Sequence, residues 1–422
     1  MQTIKRWPVW PSLLSWPLVV VVGWMLSNLA WAQPPAPLSL HGVFEQAWAQ
    51  QPEARSADLR RAAAGATRQA AAQWTAEPPA LELQAKTDRL GANVGSREYE
   101  AGVSVPLWLP GERARKGQLA DAEQAALESQ WAAARLRLAG QVREAWWAYQ
   151  RARADLALNE DRLINAQGLA QDVARRFKAG DLSQADRHQA DSAVAQAESA
   201  VAEAQGARDA ALAALHAHLG GSRLAAEPQG NGEPQPEPLP APHAPEAHPA
   251  LAELQDQAQV ARRAAELAAT QKRANPELLL ATTRSKGQAG ERYGQTVTLG
   301  LRIPLGSAPR AQAREATALA DAADAEARAA IAQSRLAAEA AAAKVRLVAL
   351  QAQWQAMARN ATLARETLVF YEKSFRLGET DLPTRLRVAL EASQAQRQLA
   401  RLRIDEAAAV SALRQALGLL PE

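Results

Sequence analysis

Residues 177–186 read Phe-Lys-Ala-Gly-Asp-Leu-Ser-Gln-Ala-Asp, and a related stretch, Phe-Arg-Leu-Gly-Glu-Thr-Asp-Leu-Pro-Thr, occupies residues 375–384. The two stretches are 198 residues apart. Two further pairs of motifs keep the same offset, namely Val105-Pro106-Leu107 with Ile303-Pro304-Leu305 and Leu219-Gly220 with Leu417-Gly418. An offset that stays constant over so much sequence indicates two copies of one supersecondary unit.

Each quoted stretch is predicted to be the turn of an antiparallel helical hairpin. No proline occurs between Pro110 and the first turn, and apolar residues keep a three-and-four spacing from Leu127 to Phe177. That spacing is typical of a helix that packs along another helix. Gly180 suits the left-handed residue that ends such a helix, and Asp181 or Ser183 suits the N-cap of the next one.

These patterns divide the chain into four segments. They are a signal peptide at 1–32, a first repeat at 33–220, a Pro-rich linker at 221–249 and a second repeat at 250–422. Within the repeats we expect strands at about 79–107 and 276–304, and helical hairpins at about 110–219 and 309–420.

The N-terminus has the features of an export signal. Lys5 and Arg6 precede an apolar stretch, and Ala30-Trp31-Ala32 provides a small-x-small cleavage site. An uncleaved membrane anchor is the alternative, but the apolar stretch is interrupted by Pro17 and Gly23 and is short for a spanning helix. We therefore expect the mature chain to act outside the cytoplasm.

Composition excludes several classes of site and partner. The chain has no cysteine, so disulfides and thiolate metal sites are excluded. Without Lys5 and Arg6 the mature chain has 46 basic and 45 acidic residues, which are interspersed along the helices. This balance gives no electrostatic reason to expect nucleic acid as a partner.

Two short runs precede each long helix and alternate apolar with polar residues. Leu81, Leu83 and Ala85 mark the apolar face of the first pair, and Val297 and Leu299 mark that of the second. The alternation predicts strand pairs with one apolar face. A two-stranded ribbon is marginal alone, so this face must be covered. One interpretation is a small sheet packed on its own helices, and the other is a sheet that faces lipid.

Strand length and aromatic residues favour the lipid-facing interpretation. The runs are about 10 residues long, which is enough to cross a bilayer when tilted. Trp74 and Trp108 bracket the first pair at its helix end, whereas Tyr99 and Tyr293 lie near the hairpin tips, as two aromatic girdles would place them. Four strands cannot close a barrel, and open edges are not tolerated in lipid. Closure therefore demands oligomerisation, and three copies would supply 12 strands.

The complete mature chain resembles the TolC-like outer membrane factor family, the exit ducts of tripartite efflux pumps and type I secretion systems. The first turn matches the family pattern aromatic-x-x-Gly-x-x-Ser-x-x-Asp fully and the second matches it in part, while the paired strand ends at 105–107 and 303–305 complete the resemblance. The segment Pro106–Arg115 looks like the cobalt-zinc-cadmium (heavy-metal RND) type of factor.

The resemblance implies a mainly α fold with membrane β-strands. Its two tandem repeats would trimerise into a 12-stranded outer-membrane β-barrel continuous with a periplasmic α-helical barrel in a Gram-negative bacterium. The implied partners are two further copies of the chain, a periplasmic membrane fusion (adaptor) protein, an inner-membrane RND-type transporter and outer-membrane lipid. The implied function is passive export, with heavy-metal cations as the expected substrate and a drug-efflux or type I secretion duct as the alternative.

Adaptor docking is expected at the two turns, which form the periplasmic tip. The residues concerned are Phe177, Gly180, Asp181, Ser183, Asp186, Phe375, Gly378, Asp381 and Thr384. Some family members close the duct with paired aspartates after the second turn, but Thr384 and Arg387 occupy those positions here. Asp381, Arg385 and Arg387 are the candidate gate, with ordinary exposed tip charges as the alternative; Ser183 and Asp186 fit helix caps equally well.

The sequence predicts no metal site, cofactor or catalytic site. His216 and His218 are two residues apart, which places them on different faces of a helix. No nucleophile-base or paired-carboxylate arrangement stands out from the helical background, so an enzyme is not expected.

A periplasmic coiled-coil adaptor or scaffold is the main rival from another class. It would explain the long helical hairpins, but not the strand pair that precedes the long helix in each copy.

Overall fold

A computed structural model describes residues 39–219, 236–241, 248–306 and 308–422. The predicted signal peptide at 1–32 and most of the predicted linker at 221–249 lie outside these ranges. The elements in chain order are α1 (Leu40–Gln50), α2 (Pro52–Ala71), β1 (Ala80–Thr87), β2 (Arg97–Pro106), α3 (Glu112–Ala179), α4 (Gln184–Ala217), α5 (Pro249–Thr270), β3 (Glu277–Lys286), β4 (Gly294–Arg302), α6 (Ala308–Arg376) and α7 (Leu382–Ala416).

Two very long helices dominate the architecture. Helix α3 has 68 residues and forms a hairpin with α4, and α6 has 69 residues and forms a hairpin with α7. At about 1.5 Å per residue, each long helix extends roughly 100 Å. The order of strand pair, long helix and returning helix occurs twice, as predicted. None of the helices in the described ranges combines the length and the apolar character that crossing a lipid bilayer requires.

Glycine ends each long helix in the left-handed conformation. Gly180 has φ +81° and Gly378 has φ +78°. At the first turn the amide of Gly180 donates to the carbonyl of Phe177 at 3.1 Å. The amide of Asp181 donates to the carbonyl of Arg176 at 2.9 Å. These two bonds satisfy carbonyls that the end of a helix leaves open. The predicted turn at Gly180 is confirmed.

The main core lies where α1, α4 and α7 pack against the middle of α3. Its buried residues include Phe44, Val142, Leu215 and Ile404. Burying one such side chain stabilises the fold by roughly 1.5–3 kcal/mol. Val142 belongs to the apolar series that predicted a packed seam on α3, and its neighbour Trp147 donates its indole N–H to the buried Ser411 hydroxyl at 2.9 Å.

A buried ionic cluster joins the predicted linker to both repeats. Glu237 lies in the described part of the linker, and its carboxylate accepts two hydrogen bonds from Arg143 of α3, at 2.8 and 3.0 Å. Arg414 of α7 approaches the same carboxylate at 3.3 Å. The side chains of Arg143, Glu237 and Arg414 are only 3–4% exposed. The cluster therefore holds the linker, at Glu237, against helices α3 and α7.

All four strands form one antiparallel sheet in the order β1-β2-β3-β4. The two predicted strand pairs are thus joined, because β2 of the first repeat pairs with β3 of the second along its whole length. One row of the register runs Leu81, Val103, Leu280 and Leu299. Strands β1 and β4 are the edges of this sheet, and the outer side of each pairs with no strand among the described residues.

The apolar face of the sheet is uncovered. Leu81 is 69% exposed, Leu83 is 70% exposed and Leu299 is 72% exposed. Among the described residues, no helix packs against any of the four strands. The interpretation in which the sheet packs on its own helices is therefore wrong for this chain. Some other molecule must cover the face.

Candidate functional site

The first turn contains a reciprocal helix cap. The amide of Asp186 donates to the Ser183 hydroxyl at 3.2 Å, and the amide of Ser183 donates to the Asp186 carboxylate at 2.9 Å. The Ser183 hydroxyl also donates to that carboxylate at 2.7 Å, and this bond is the main reason that the pKa of Asp186 lies below its ordinary value. Both residues were predicted as either caps or adaptor contacts, and the structure places them in a capping box.

The second turn has no capping box. Asp381 occupies the N-cap position of α7, but its side chain makes no capping hydrogen bond. Pro383 takes up the first turn of the helix, and Thr384 stands where the first turn has Asp186. The hydroxyls of Ser374 and Thr380 instead bond to each other at 2.6 Å. The two turns therefore present different polar surfaces on similar backbones.

Phe375 fastens the two hairpins together near the tip. Its side chain is 3% exposed and packs in a cluster with Leu169 and Val173 of α3 and Leu382 of α7. The Arg176 guanidinium lies 5.0 Å from the Phe375 ring centroid. The guanidinium of Arg176 also donates to the Phe375 carbonyl at 3.1 Å. We call this contact the tip clasp.

Phe177 has a different environment from its repeat partner. It is half-buried, and the guanidinium above its ring belongs to Arg187 of the adjoining helix, at 5.7 Å. No contact of this kind bridges the two hairpins at Phe177 among the described residues. Only Phe375, of the two equivalent aromatic residues, holds the repeats to each other.

The three candidate gate residues do not converge within one protomer. Arg385 is half-buried, lies 5.0 Å from the Phe375 ring centroid and is 3.7 Å from Glu372, and burial lowers the pKa of Arg385. Arg387 is exposed and bonds Glu391 at 2.7 Å. Asp381 is exposed and forms no ion pair with the described part of the chain. A gate made by these residues would require contacts between protomers.

The predicted girdle residues lie at opposite ends of the sheet. Tyr99 and Tyr293 are near the hairpin tips, with their ring centroids 6.4 Å apart. Trp74 and Trp108 lie at the helix end, where Trp74 is 91% exposed and Trp108 donates its indole N–H to the carbonyl of Gln73 at 3.0 Å. This separation along the strands is the arrangement that two aromatic girdles require.

A buried carboxylate organises the joint between the sheet and α3, and sequence reasoning missed it. Glu112 is 2% exposed. It accepts hydrogen bonds from the amide of Leu109 at 3.0 Å and from the side chains of Gln271 at 2.6 Å and Asn275 at 2.7 Å. The last two residues belong to the second repeat. Glu112 lies in the segment that marked the heavy-metal type, so part of that motif has a local structural role.

The described residues contain no group of three or more His, Asp or Glu side chains placed to hold a metal ion. The tip presents polar turns and charged side chains, and the sheet presents an apolar surface.

Comparison with known proteins gives the class. Residues 43–221 match the sequence profile of a family described as outer membrane efflux protein. No curated protein sequence matches the chain significantly.

Solved structures share the fold over nearly the whole chain. CusC, from a study of folding and transmembrane channel formation, has a TM-score of 0.75 at 19% identity, over 93% of this chain and 95% of that one. VceC of Vibrio cholerae gives 0.71 at 18% identity, over 91% and 97%. The open MtrE channel of Neisseria gonorrhoeae gives 0.68 at 14% identity, over 90% and 89%.

The mainly helical fold with its few strands is that of the outer-membrane efflux channels. Residues 43–221, which span most of the first repeat, are similar in sequence to the outer membrane efflux protein family, and the described chain shares its fold with solved channels of that kind. CusC forms a transmembrane channel, and MtrE is an outer-membrane channel.

Proposed function

We propose that three copies of this chain form the exit duct of a tripartite efflux pump and conduct substrate passively from the periplasm to the exterior. The observation that carries the proposal is the sheet. Its apolar face is uncovered, and the outer sides of β1 and β4 have no strand partner in the described chain. In lipid an unpaired strand edge costs several kcal/mol for each unsatisfied backbone group. Pairing β4 of one copy with β1 of the next removes every edge and yields 12 strands from three four-stranded sheets.

Strand dimensions support this assembly. Strands β2 and β3 have 10 residues each. At about 3.3 Å per residue they are roughly 33 Å long, and a tilt of about 45° gives a height near 23 Å, close to the apolar band of outer-membrane barrels. The predicted repeats at 33–220 and 250–422 would then each contribute a strand pair to the barrel and a helical hairpin to the periplasmic duct.

The adaptor would dock at the periplasmic tip. The turns around Gly180 and Gly378 are the points of the hairpins farthest from the sheet along helices α3 and α6. The capping box at Ser183 and its absence at Asp381 give the adaptor two distinguishable docking points in each protomer. Energy for transport would come from an inner-membrane RND-type transporter held by the adaptor.

Heavy-metal cations are the proposed substrate, on the resemblance of Pro106–Arg115 to the heavy-metal type. The test compares strains that lack the gene with complemented strains in graded zinc, cobalt, cadmium and copper salts, and in drugs of several classes. We expect deletion to sensitise cells to metal salts. Sensitivity to drugs alone would favour the drug-efflux alternative and refute the metal assignment.

Assembly is tested separately from substrate. We expect the protein in the outer-membrane fraction as a trimer that resists dissociation in mild detergent. Deletion of residues 79–107 should abolish membrane insertion. A soluble or inner-membrane monomer would refute the duct and favour the adaptor or scaffold alternative.

A further inference from the structure

A groove with a volume of about 740 Å³ lies between the two hairpins, above the tip clasp, and is lined by α3, α4, α6 and α7. Its apolar wall includes Leu158, Leu368 and Leu390. Its basic residues are Arg162, Arg385, Arg387 and Arg397. Asp161 and Glu372 are the acidic side chains of the lining, so the basic residues outnumber them.

Arg162 of α3 and Arg397 of α7 form an unneutralised pair. Both are half-buried, and neither forms an ion pair or a side-chain hydrogen bond with the residues that the structure describes. Burial, and after it the charge of Arg397, lowers the pKa of Arg162. Two like charges held close together in a partly desolvated groove repel each other. Something that the described chain does not contain would relieve this repulsion.

The acidic lining residues do not serve that purpose. Glu372 is engaged with Arg385, which is 12 positions before Arg397 and therefore about 18 Å from it along α7. Asp161 is exposed and makes no ion pair with Arg162 or Arg397. At the lower end of the groove, Nη1 of Arg385 is buried and has no hydrogen-bond partner in the described chain.

We propose that this groove binds an amphipathic organic anion, with its anionic group between Arg162 and Arg397 and its apolar body against the leucine wall. Guanidinium groups bind sulfonates, phosphates and carboxylates through paired, charge-assisted hydrogen bonds. Asn165, Ser393 and Gln396 line the same groove and add neutral donors. The volume lies within the range of sites for small organic ligands, about 300–1,000 Å³. The site does not depend on which substrate the duct exports.

Calorimetric titration of the full-length protein in a neutral detergent tests the proposal. The probe is naphthalene-2-sulfonate, and naphthalene-2-sulfonamide is its uncharged match. The test variant is R162Q/R397Q. The control is R346Q, which removes an exposed arginine of α6 that does not line the groove.

We expect saturable binding of the sulfonate to the wild type and to R346Q, and binding at least about tenfold weaker to R162Q/R397Q, because two charge-assisted bonds are lost. The double variant should melt no lower than the wild type, since it loses only a repulsion. Three results would each overturn the proposal. The wild type could bind the sulfonamide as tightly as the sulfonate, R162Q/R397Q could bind the sulfonate as tightly as the wild type does, or folded wild-type protein could show no saturable binding of the sulfonate. Outer-membrane location and trimer formation are read independently, so failure here leaves the proposed duct unaffected.

Discussion

Replacing Glu237 with glutamine removes the only carboxylate that the described chain places between Arg143 and Arg414. Glu237 is bonded to Arg143 at 2.8 Å and lies 3.3 Å from Arg414, in a cluster whose side chains are 3–4% exposed. The glutamine has nearly the same shape, so the substitution removes charge and not volume. Arg143 then loses the carboxylate that it is bonded to, whereas Arg414 keeps an ion pair with Glu422 at 2.8 Å.

The expected loss of stability is large for a single substitution. Breaking a buried ion pair by removing one partner costs about 3–5 kcal/mol, because the remaining charge is desolvated without compensation. Arg143 keeps hydrogen bonds to the side chain of Gln415 at 2.7 Å and the carbonyl of Leu419 at 2.9 Å, so we expect the lower part of that range. A mature chain of this size unfolds with an entropy of roughly 0.8 kcal/mol/K, which converts about 3 kcal/mol into a melting-point decrease near 4 °C.

Thermal unfolding followed by circular dichroism at 222 nm measures this decrease. The matched control is E326Q, which breaks an ion pair to Arg262 whose side chains are 55% and 47% exposed. Exposed pairs contribute about 0–1 kcal/mol, so the control should melt within about 1 °C of the wild type. If E237Q also melts within that interval, the ionic cluster does not hold the linker to the helices, and the argument is refuted.

Three further predictions concern the tip and the sheet. D186N should lower the free energy of unfolding by about 1 kcal/mol at pH 7 through loss of the cap. Because the pKa of Asp186 is depressed in the folded protein, this difference in stability from the wild type should shrink as pH falls below about 4. A difference in stability that does not depend on pH would contradict the prediction. F375A should cost about 3–5 kcal/mol in thermal unfolding, whereas F177A, at a half-buried position, should cost less than half as much; equal costs would exclude a special role for the clasp. L299R should make the free energy of outer-membrane insertion less favourable by about 2–4 kcal/mol if Leu299 faces lipid. T298R, on the opposite face of the same strand, should insert like the wild type. Equal insertion of the two variants would contradict the lipid-facing assignment.

The strands and turns were predictable because they depend on local patterns, and the repeat was predictable from the constant offset of 198 residues between its motifs. Period-2 alternation around Leu81 and Val297 located strands, and Gly180 located the hairpin turn from its conformational requirement alone. The helix and strand bounds agree with the predicted ones within a few residues. Each strand and each turn is encoded within about ten consecutive residues.

Features that join the repeats were not predictable in the same way. The pairing of β2 with β3 joins residues that are distant in the sequence, such as Glu98 and Ser285, and no short pattern specifies that register. Glu112 is the first residue of α3, yet its carboxylate accepts a hydrogen bond from Asn275, 163 residues away. Arg176 lies near the end of α3, and no local pattern specifies its contact with Phe375, 199 residues away, which forms the clasp.

Disulfide trapping of β1 against β4 of a neighbouring copy tests the central claim, which is closure of the barrel by three chains. The natural chain has no cysteine, so only introduced pairs can react. Gln84 of β1 is changed to cysteine and combined in turn with cysteine at Thr296, Thr298 or Gly300, which share a face of β4. The control combines Q84C with T283C on β3, two strands away within one sheet, at about 9–10 Å and beyond disulfide reach.

Oxidation in the outer membrane should give covalent dimers and trimers, and no larger species, for at least one β1–β4 combination and none for the control. Such a ladder ending at three chains is the result that the account predicts. Monomers from every β1–β4 combination in correctly inserted protein would contradict it.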